Sequence, residues 1–183
     1  MSKPSSRRKL NLQELGRVDS KAFKQQSKTP IVLVLEDIRS GMNVGSAFRT
    51  ADAFALEHIY LCGITAQPPH REILKTAIGA TESMEWSYHS QSLDLVEELI
   101  KKGYHIVSVE QTEGSTLLQD FRPPEGQKLA LVFGNEVNGV SQTVIDSSNQ
   151  SLEVPQFGVK HSLNISVCLG IVVWDCFQKL KLK

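Results

Sequence analysis

Short apolar runs alternate along the chain with longer stretches in which apolar residues recur every three or four positions. The first run, residues 31–35, is continuous and rich in β-branched side chains, which is typical of a strand buried on both faces of a parallel sheet. Further runs lie at 59–62, 106–109, 129–133 and, more weakly, 152–154. Each of these five runs predicts a strand.

Helical patterns separate or follow these strands. Residues 47–55 place apolar side chains on one helical face, and residues 93–100 form an amphipathic pattern that Gly103 closes as a helix C-cap. A longer and more apolar pattern extends from 163 to about 180, so we expect this helix to be covered by the sheet or by another subunit. Strands alternating with helices predict an α/β domain, with a mainly parallel sheet flanked by helices.

The composition supports one packed domain and adds an uneven distribution of charge. A chain of 183 residues with 40% hydrophobic content excludes wholesale disorder, a collagen-like repeat and a small disulfide scaffold. The formal net charge is zero, but residues 1–30 carry eight basic and two acidic side chains, and residues 31–183 carry twelve basic and eighteen acidic ones. We therefore predict a basic N-terminal arm, 1–30, that contacts nucleic acid, with a solvated tail as the alternative.

Cysteine and histidine usage predicts neither a disulfide framework nor a metal site. The three cysteines form no CxxC pair, and the five histidines are scattered singly. No uninterrupted apolar run is long enough to span a bilayer, and no apolar run follows the basic N-terminus as in a signal peptide. We therefore expect a cytoplasmic protein with no membrane partner and no metal.

Candidate chemistry lies in the loops that follow strands, because parallel sheets bind ligands at the carboxyl ends of their strands. The first such segment, NVGSAFR at 43–49, offers Asn43 as a helix N-cap, Gly45 for the close approach of an anion, and Arg49 as a phosphate-binding fork. The same residues also fit an ordinary capped helix with a surface pair between Arg49 and Asp52. Both interpretations are open at this point.

Two further segments follow later strands. GNEVNGV at 134–140 combines a glycine that permits backbone contact with a ligand and an acceptor, Glu136, but it also fits a turn built on Asn138-Gly139. VPQFGVKHSLNIS at 154–166 fits a strand exit, a tight bend and a helix capped by Ser162. Interpreting 154–166 as an irregular loop followed by a capped helix leaves Asn164, on an apolar helix, unexplained.

Taken in order, NxGxxxR, GNExxGV and VPxxGxxxSLNxSV resemble the three motifs of the SpoU (TrmH-like) family. These proteins are RNA ribose 2′-O-methyltransferases of the SPOUT superfamily that use S-adenosyl-L-methionine (SAM). The resemblance covers residues 31–180 and identifies 31–183 as a SpoU-type catalytic domain. It implies a trefoil knot near the C-terminus and a homodimer whose active site is completed across the interface. Gln156, where many relatives have Met, departs from the pattern.

The resemblance also implies roles for individual residues. Arg49 acts on the ribose 2′-OH, while Asn43, Glu136, Ser162 and Asn164 position the substrate, Arg49 and the cofactor. Because an arginine side chain has a pKa above ~12, we expect Arg49 to orient the ribose and an RNA phosphate rather than to act as a free base. The SAM contacts are expected at Glu110, Gln111, Thr112, Phe133, Gly134, Val154, Pro155, Gly158, Ser162 and Leu163.

The partner that the resemblance implies is RNA. Lys75-Thr76-Ala77 with Gly79-Ala80, and residues 109–112, are similar to the branch that modifies a guanosine in the tRNA D-loop. The chain length leaves no room for the separate N-terminal RNA-binding domain of larger, often rRNA-directed relatives, so we expect tRNA first and rRNA second. The alternatives are a non-catalytic RNA-binding member of the same fold and a small-molecule α/β enzyme.

Overall fold

Seven strands form one parallel sheet in the computed structural model, which describes residues 7–11, 14–160 and 162–182. The strands are β1 (Thr29–Glu36), β2 (Leu56–Cys62), β3 (Trp86–His89), β4 (Tyr104–Val109), β5 (Thr116–Leu117), β6 (Lys128–Phe133) and β7 (Gln150–Glu153). Their order across the sheet is β3-β2-β1-β6-β4-β7-β5, and all six pairings are parallel. The predicted α/β class and parallel sheet are confirmed.

Helices cover both faces of this sheet. They are α1 (Ser20–Gln25), α2 (Gly41–Ala53), α3 (Arg71–Ala77), α4 (Ala80–Ser83), α5 (Ser92–Lys101), α6 (Gln142–Ser147) and α7 (Ile165–Lys181). Alternate residues of β1 enter two separate cores: Ile31, Leu33 and Leu35 pack with α2, α3 and α7, while Val32 and Val34 pack with α5 and α6. This two-sided burial is the physical reason for the continuous apolar run.

Two predicted helix caps are wrong by a few residues. Helix α2 begins after Ser40, whose side chain accepts a hydrogen bond from the backbone N–H of Asn43, so Asn43 lies within the first turn. Helix α7 is capped by Asn164 rather than by Ser162. Both errors matter for the site. The Asn43 side chain does not cap a helix, whereas the Asn164 side chain does.

The last helix is covered on one face only. Leu169, Val172 and Val173 of α7 are buried against the body, as expected from the apolar pattern, but Val167 and Trp174 remain about half exposed. Among the described residues no helix is both long and apolar enough to cross a membrane.

Part of the predicted arm is packed onto the body. Phe23 of α1 is buried in the same core as α2, and Thr29 already belongs to β1. Residues 1–6, 12 and 13 of the arm lie outside the described part of the chain.

Candidate functional site

A cavity of about 530 Å³ opens where β6, β4 and β7 end. These three strands are neighbours in the sheet, so their carboxyl ends meet at one edge. The cavity walls come from four segments, which are residues 109–111, 133–139, 152–156 and 162–168. The position is the one that parallel sheets use for ligands.

The carboxylate of Glu110 joins two of these walls. One oxygen accepts a hydrogen bond from the backbone N–H of Gln111 (2.9 Å), and the other accepts from the backbone N–H of Val140 (3.0 Å). The bond to Val140 therefore holds the loop after β6 against the end of β4, while the bond to Gln111 fixes the carboxylate within its own segment. Glu110 shapes the cavity in addition to lining it.

The loop after β6 is closed by its own backbone. Asn135 and Gly139 exchange two backbone hydrogen bonds of 3.1 and 3.0 Å, and the Asn135 side chain accepts from the N–H groups of Val137 and Asn138. A Cβ at Gly134 would lie closer than 3.0 Å to backbone atoms of Gly139 and Val140. Gly134 is therefore required by the folding of this loop, and its predicted contact with a ligand stays a prediction.

Glu36, which the sequence analysis did not single out, supports the same loop from below. This carboxylate is buried at the end of β1 and accepts hydrogen bonds from the backbone N–H (2.8 Å) and hydroxyl (2.7 Å) of Ser141 and from the hydroxyl of Ser92. The sequence does indicate this residue, because Glu36 is a charged residue at the end of an apolar strand. Its bonds fix the far end of the cavity loop where α6 begins.

Side chains from the three sequence motifs meet beside the cavity. The Asn43 amide donates to a carboxylate oxygen of Glu136 (2.9 Å), and the Asn164 amide donates to the Asn43 side-chain oxygen (3.3 Å). The Asn164 oxygen in turn accepts from the backbone N–H and the hydroxyl of Ser166. Along the sequence, Glu136 lies 93 residues from Asn43 and Asn164 lies 121 residues from it. The fold brings these three predicted residues together, and Glu136 and Asn164 also line the cavity with Ser162.

Arg49 lies elsewhere. It is six residues beyond Asn43 on α2, which corresponds to about 9 Å along the helix axis and about 120° around it. The Arg49 side chain is exposed and lines a second, larger cavity of about 920 Å³, outside the lining of the first. Among the described side chains the alternative surface pair with Asp52 is not formed, and Asp52 accepts a hydrogen bond from the Ser83 hydroxyl (2.6 Å).

Gly45 also has a different use from the one predicted. A Cβ there would lie closer than 3.0 Å to the Thr76 hydroxyl and to the carbonyl oxygen of Ile73. Helix α3 therefore packs directly on α2 at this point, and the space that the glycine creates is filled by protein.

Most of the predicted cofactor contacts lie on the first cavity. Those that line it are Glu110, Gln111, Phe133, Gly134, Val154, Ser162 and Leu163. Thr112 and Pro155 are adjacent in sequence to lining residues, and Gly158 lies two residues beyond Gln156, but none of the three lines the cavity. The lining residues to which the sequence analysis assigned no site role are Val109, Asn135, Val137, Asn138, Gly139, Leu152, Glu153, Gln156, Ile165 and Cys168.

The Cys168 thiol lies in the cavity wall and has a raised pKa. Burial raises its pKa to about 11, and the nearby Glu110 carboxylate acts in the same direction. The thiol therefore stays protonated near neutral pH and does not supply a thiolate nucleophile. Among the described residues, no group of three or more His, Cys, Asp and Glu side chains is arranged to hold a metal ion.

Comparison with known proteins shows which family the chain resembles. Residues 30–174 match the model of the SpoU rRNA Methylase family. YacO of Bacillus subtilis, assigned by name to the TrmH family of tRNA/rRNA methyltransferases, is 28% identical over 87% of this chain and 63% of its own length. The tRNA (guanosine(18)-2′-O)-methyltransferase of Borreliella burgdorferi is 24% identical over 82% of this chain and 67% of its own.

A solved structure shows the same fold. The AdoMet-bound rRNA methyltransferase of Sinorhizobium meliloti superposes with a TM-score of 0.78 at 22% identity, over 86% of this chain and 60% of that one. The chain thus spans somewhat less than two thirds of the length of several relatives it matches.

Proposed function

The chain belongs to the SpoU rRNA Methylase family, and from that premise we propose that it transfers a methyl group from SAM to a ribose 2′-hydroxyl of RNA. The observation that carries this proposal is the meeting of Asn43, Glu136 and Asn164 at the mouth of a cavity formed by three strand ends. A ligand cavity and a cluster of hydrogen-bonding side chains beside it are what such a transfer requires.

The first cavity fits SAM in size and chemistry. Its volume of about 530 Å³ lies within the range of small-molecule sites. The strand ends at Phe133–Gly134 and at Val154 offer backbone groups, and Leu163 and Cys168 offer apolar contact. Bound there, SAM would supply an activated methyl group on its sulfonium sulfur.

The neighbouring side chains are suited to hold a ribose. Among the described residues, Glu136 is hydrogen-bonded through only one carboxylate oxygen, so its other oxygen can accept from a ribose hydroxyl. Asn43 and Asn164 fix the position of Glu136, and Ser162 adds a hydroxyl to the same wall. Arg49 would hold the adjoining RNA phosphate in a bidentate fork, and the 2′-hydroxyl proton would leave through that phosphate.

A homodimer would complete this site. Arg49 is too far around α2 to share the first cavity of its own chain, so we propose that it serves the first cavity of a partner subunit. The half-exposed Val167 and Trp174 on α7 support such an interface, because large apolar side chains on one helix face are commonly covered by another subunit. The trefoil knot implied by the family remains a prediction.

The RNA class is the least constrained part of the proposal. We favour tRNA, with rRNA second, because one relative is named for guanosine 18 of tRNA. The basic arm would add phosphate contacts. A non-catalytic RNA-binding role is less favoured, since Arg49 and the four other predicted catalytic side chains are all present.

The test combines labelled SAM with separate tRNA and rRNA pools from cells that lack the protein, followed by mapping of the 2′-O-methyl position. Arg49→Ala and Asn164→Ala should each abolish transfer. Arg49→Ala should leave the fold intact, and Asn164→Ala, which removes the cap of α7, should cost about 1 kcal/mol of stability. Mixing the two variants should restore about a quarter of the wild-type activity if Arg49 acts across a dimer, because a quarter of the sites in randomly exchanged dimers then hold both intact residues. The enzyme proposal fails if the wild-type protein labels neither pool.

A further inference from the structure

The second cavity, of about 920 Å³, lies between the N-terminal arm and the face of α2 that carries Arg49. Its walls are formed by residues 17–29 of the arm, by 49–55, by the turn between α3 and α4, and by Phe177 and Lys181 near the end of α7. It is distinct from the cavity proposed for SAM, because the two share no lining residue.

The arm that closes this cavity is docked by specific contacts. Phe23 is buried against the body, and the Lys28 ammonium lies 3.3 Å from the centre of its ring while donating to its carbonyl oxygen (2.7 Å). Asp19 caps α1 by accepting from the Ala22 N–H (2.8 Å), and the Thr29 hydroxyl donates to the Phe54 carbonyl oxygen (2.7 Å). The cavity is therefore a built feature of the fold and not a gap beside a loose tail.

Three cations of this cavity are available to a ligand. Arg17, Arg49 and Lys181 are exposed, and none of them forms a side-chain hydrogen bond or ion pair with the described residues. They come from the arm, α2 and the end of α7, so they surround the opening from three elements. Unpaired guanidinium and ammonium groups on several sides of a cavity favour a phosphate group.

The rest of the lining is suited to a nucleobase. The rings of Phe54 and Phe177 lie with their centres 5.1 Å apart on one wall, and aromatic rings stack on the unpaired bases of RNA. The wall also carries the carboxylates of Asp52 and Glu82, which can accept hydrogen bonds from amino and imino groups of a base. Cations, aromatic rings and acceptors together match a nucleotide better than a simple anion.

Ile78 adds an exposed apolar side chain to the same lining. It adopts the left-handed conformation at the end of α3, with φ 49° and ψ 54°, and its side chain is 68% exposed in the cavity lining. A β-branched residue in this conformation is strained, and glycine or asparagine would serve the turn better. Ile78 therefore both ends α3 and presents an apolar side chain to a ligand in this cavity.

We infer that this arm-bordered cavity binds the RNA nucleotide that flanks the methylated one, with its phosphate held by Arg17, Arg49 and Lys181 and its base against the Phe54 and Phe177 wall. The inference rests on the proposed function for the identity of the ligand as RNA. It assigns the arm a defined role, which is to complete a nucleotide site beside Arg49.

Site-directed cross-linking tests this assignment. Ile78→Cys is labelled with benzophenone maleimide, mixed with the tRNA and rRNA pools separately, and irradiated. The matched control is Ile100→Cys, an exposed position on α5 on the opposite face of the sheet, and labelled wild-type protein reports any background from the native cysteines. We expect RNA cross-links from position 78 alone. The absence of an RNA cross-link from position 78 would overturn the assignment, even where position 78 cross-links to a second copy of the chain.

A charge variant separates this inference from the proposed function. Arg17→Glu should weaken RNA binding about fivefold at physiological salt and reduce the slope of log affinity against log salt by about one. Lys101→Glu on α5 makes the same charge change away from the cavity and should leave RNA binding near the wild-type level, and both variants should bind SAM normally. Intact RNA affinity in Arg17→Glu with active methyl transfer would remove the subsite alone, whereas RNA cross-linking without methyl transfer would remove the enzyme proposal alone.

Discussion

Replacing Gly134 by alanine should collapse the first cavity, because the added methyl group has no room. Its Cβ would lie closer than 3.0 Å to the carbonyl carbon and oxygen of Gly139 and to the amide nitrogen of Val140. All three atoms belong to the backbone, so no side-chain rotation can relieve the clash. The φ angle of Gly134 is not positive, and the effect of the variant therefore comes from contact rather than from an unfavourable conformation.

The magnitude follows from the hydrogen bonds that the loop would lose on moving away. Two of them join Asn135 to Gly139 at 3.1 and 3.0 Å, and the third joins the Val140 N–H to Glu110 at 3.0 Å. At about 1 kcal/mol for each bond, the free energy of unfolding should fall by about 3 kcal/mol. For a chain of this size that corresponds to a decrease in Tm of about 6–12 °C.

The assay measures Tm by circular dichroism and SAM affinity by isothermal titration calorimetry on the same samples. We expect SAM binding to be lost at temperatures where Gly134→Ala is still folded, because the displaced loop forms one wall of the cavity. Glu97→Ala on α5 is the control, since this exposed side chain lies away from the first cavity and alanine favours the helix. Wild-type Tm and SAM affinity in Gly134→Ala would refute the assignment of this loop as a cofactor wall.

Three other changes should have distinct signatures. Gly45→Ala should destabilise the fold by more than 2 kcal/mol, on the order of an overpacked core, because its methyl group would strike α3 at Thr76; urea unfolding measures this loss. Burial lowers the pKa of His58, so the unfolded chain binds the proton more readily than the folded chain. Stability should therefore decline as the pH falls below about 6.5, and His58→Asn should flatten that decline when Tm is measured against pH. Ile78→Asn should raise the free energy of unfolding by about 1 kcal/mol through relief of strain, while RNA affinity falls.

The sheet could be predicted from the sequence because its central strands are buried on both faces. Continuous apolar runs at β1 and β6 have no other simple explanation in a chain of this size, and the predicted limits differ from the observed strands by two residues at most. The edge strands escaped prediction for the opposite reason. Trp86–His89 is short and only partly buried, and Thr116–Leu117 has two residues, so neither leaves a distinct pattern.

The glycines of the motifs show what sequence reasoning could not provide. Gly45 and Gly134 stand at positions where something must approach closely, and that much was predicted. In both cases the approaching atoms belong to the protein itself, from α3 and from the loop that ends at Gly139. A sequence indicates that space is needed at a glycine, but the neighbour that fills the space is set by residues distant along the chain.

The polar residues of the motifs were predicted as a set, and only the fold shows how they divide. Asn43, Glu136 and Asn164 form one hydrogen-bonded cluster, although they stand in three separate motifs. Arg49 belongs to the second cavity, although it stands in the same motif as Asn43. The roles assigned by family resemblance therefore require two different surfaces of α2.

This division has a consequence for how RNA would cross the proposed dimer. If Arg49 serves the SAM cavity of the partner subunit, the arm-bordered cavity beside it must open toward that same partner site, because Arg49 lines it. The RNA would then be held by Arg17 and Lys181 of one subunit while its ribose enters the cavity of the other. The rigid helix α2 would set the spacing between the two, since Asn43 and Arg49 are fixed about 9 Å apart along it. Methyl transfer would therefore depend on docking of the arm in one subunit and on the Asn43 cluster in the other. A dimer with the Arg17 and Asn164 variants in different subunits should then differ in activity from a dimer with both variants in the same subunit.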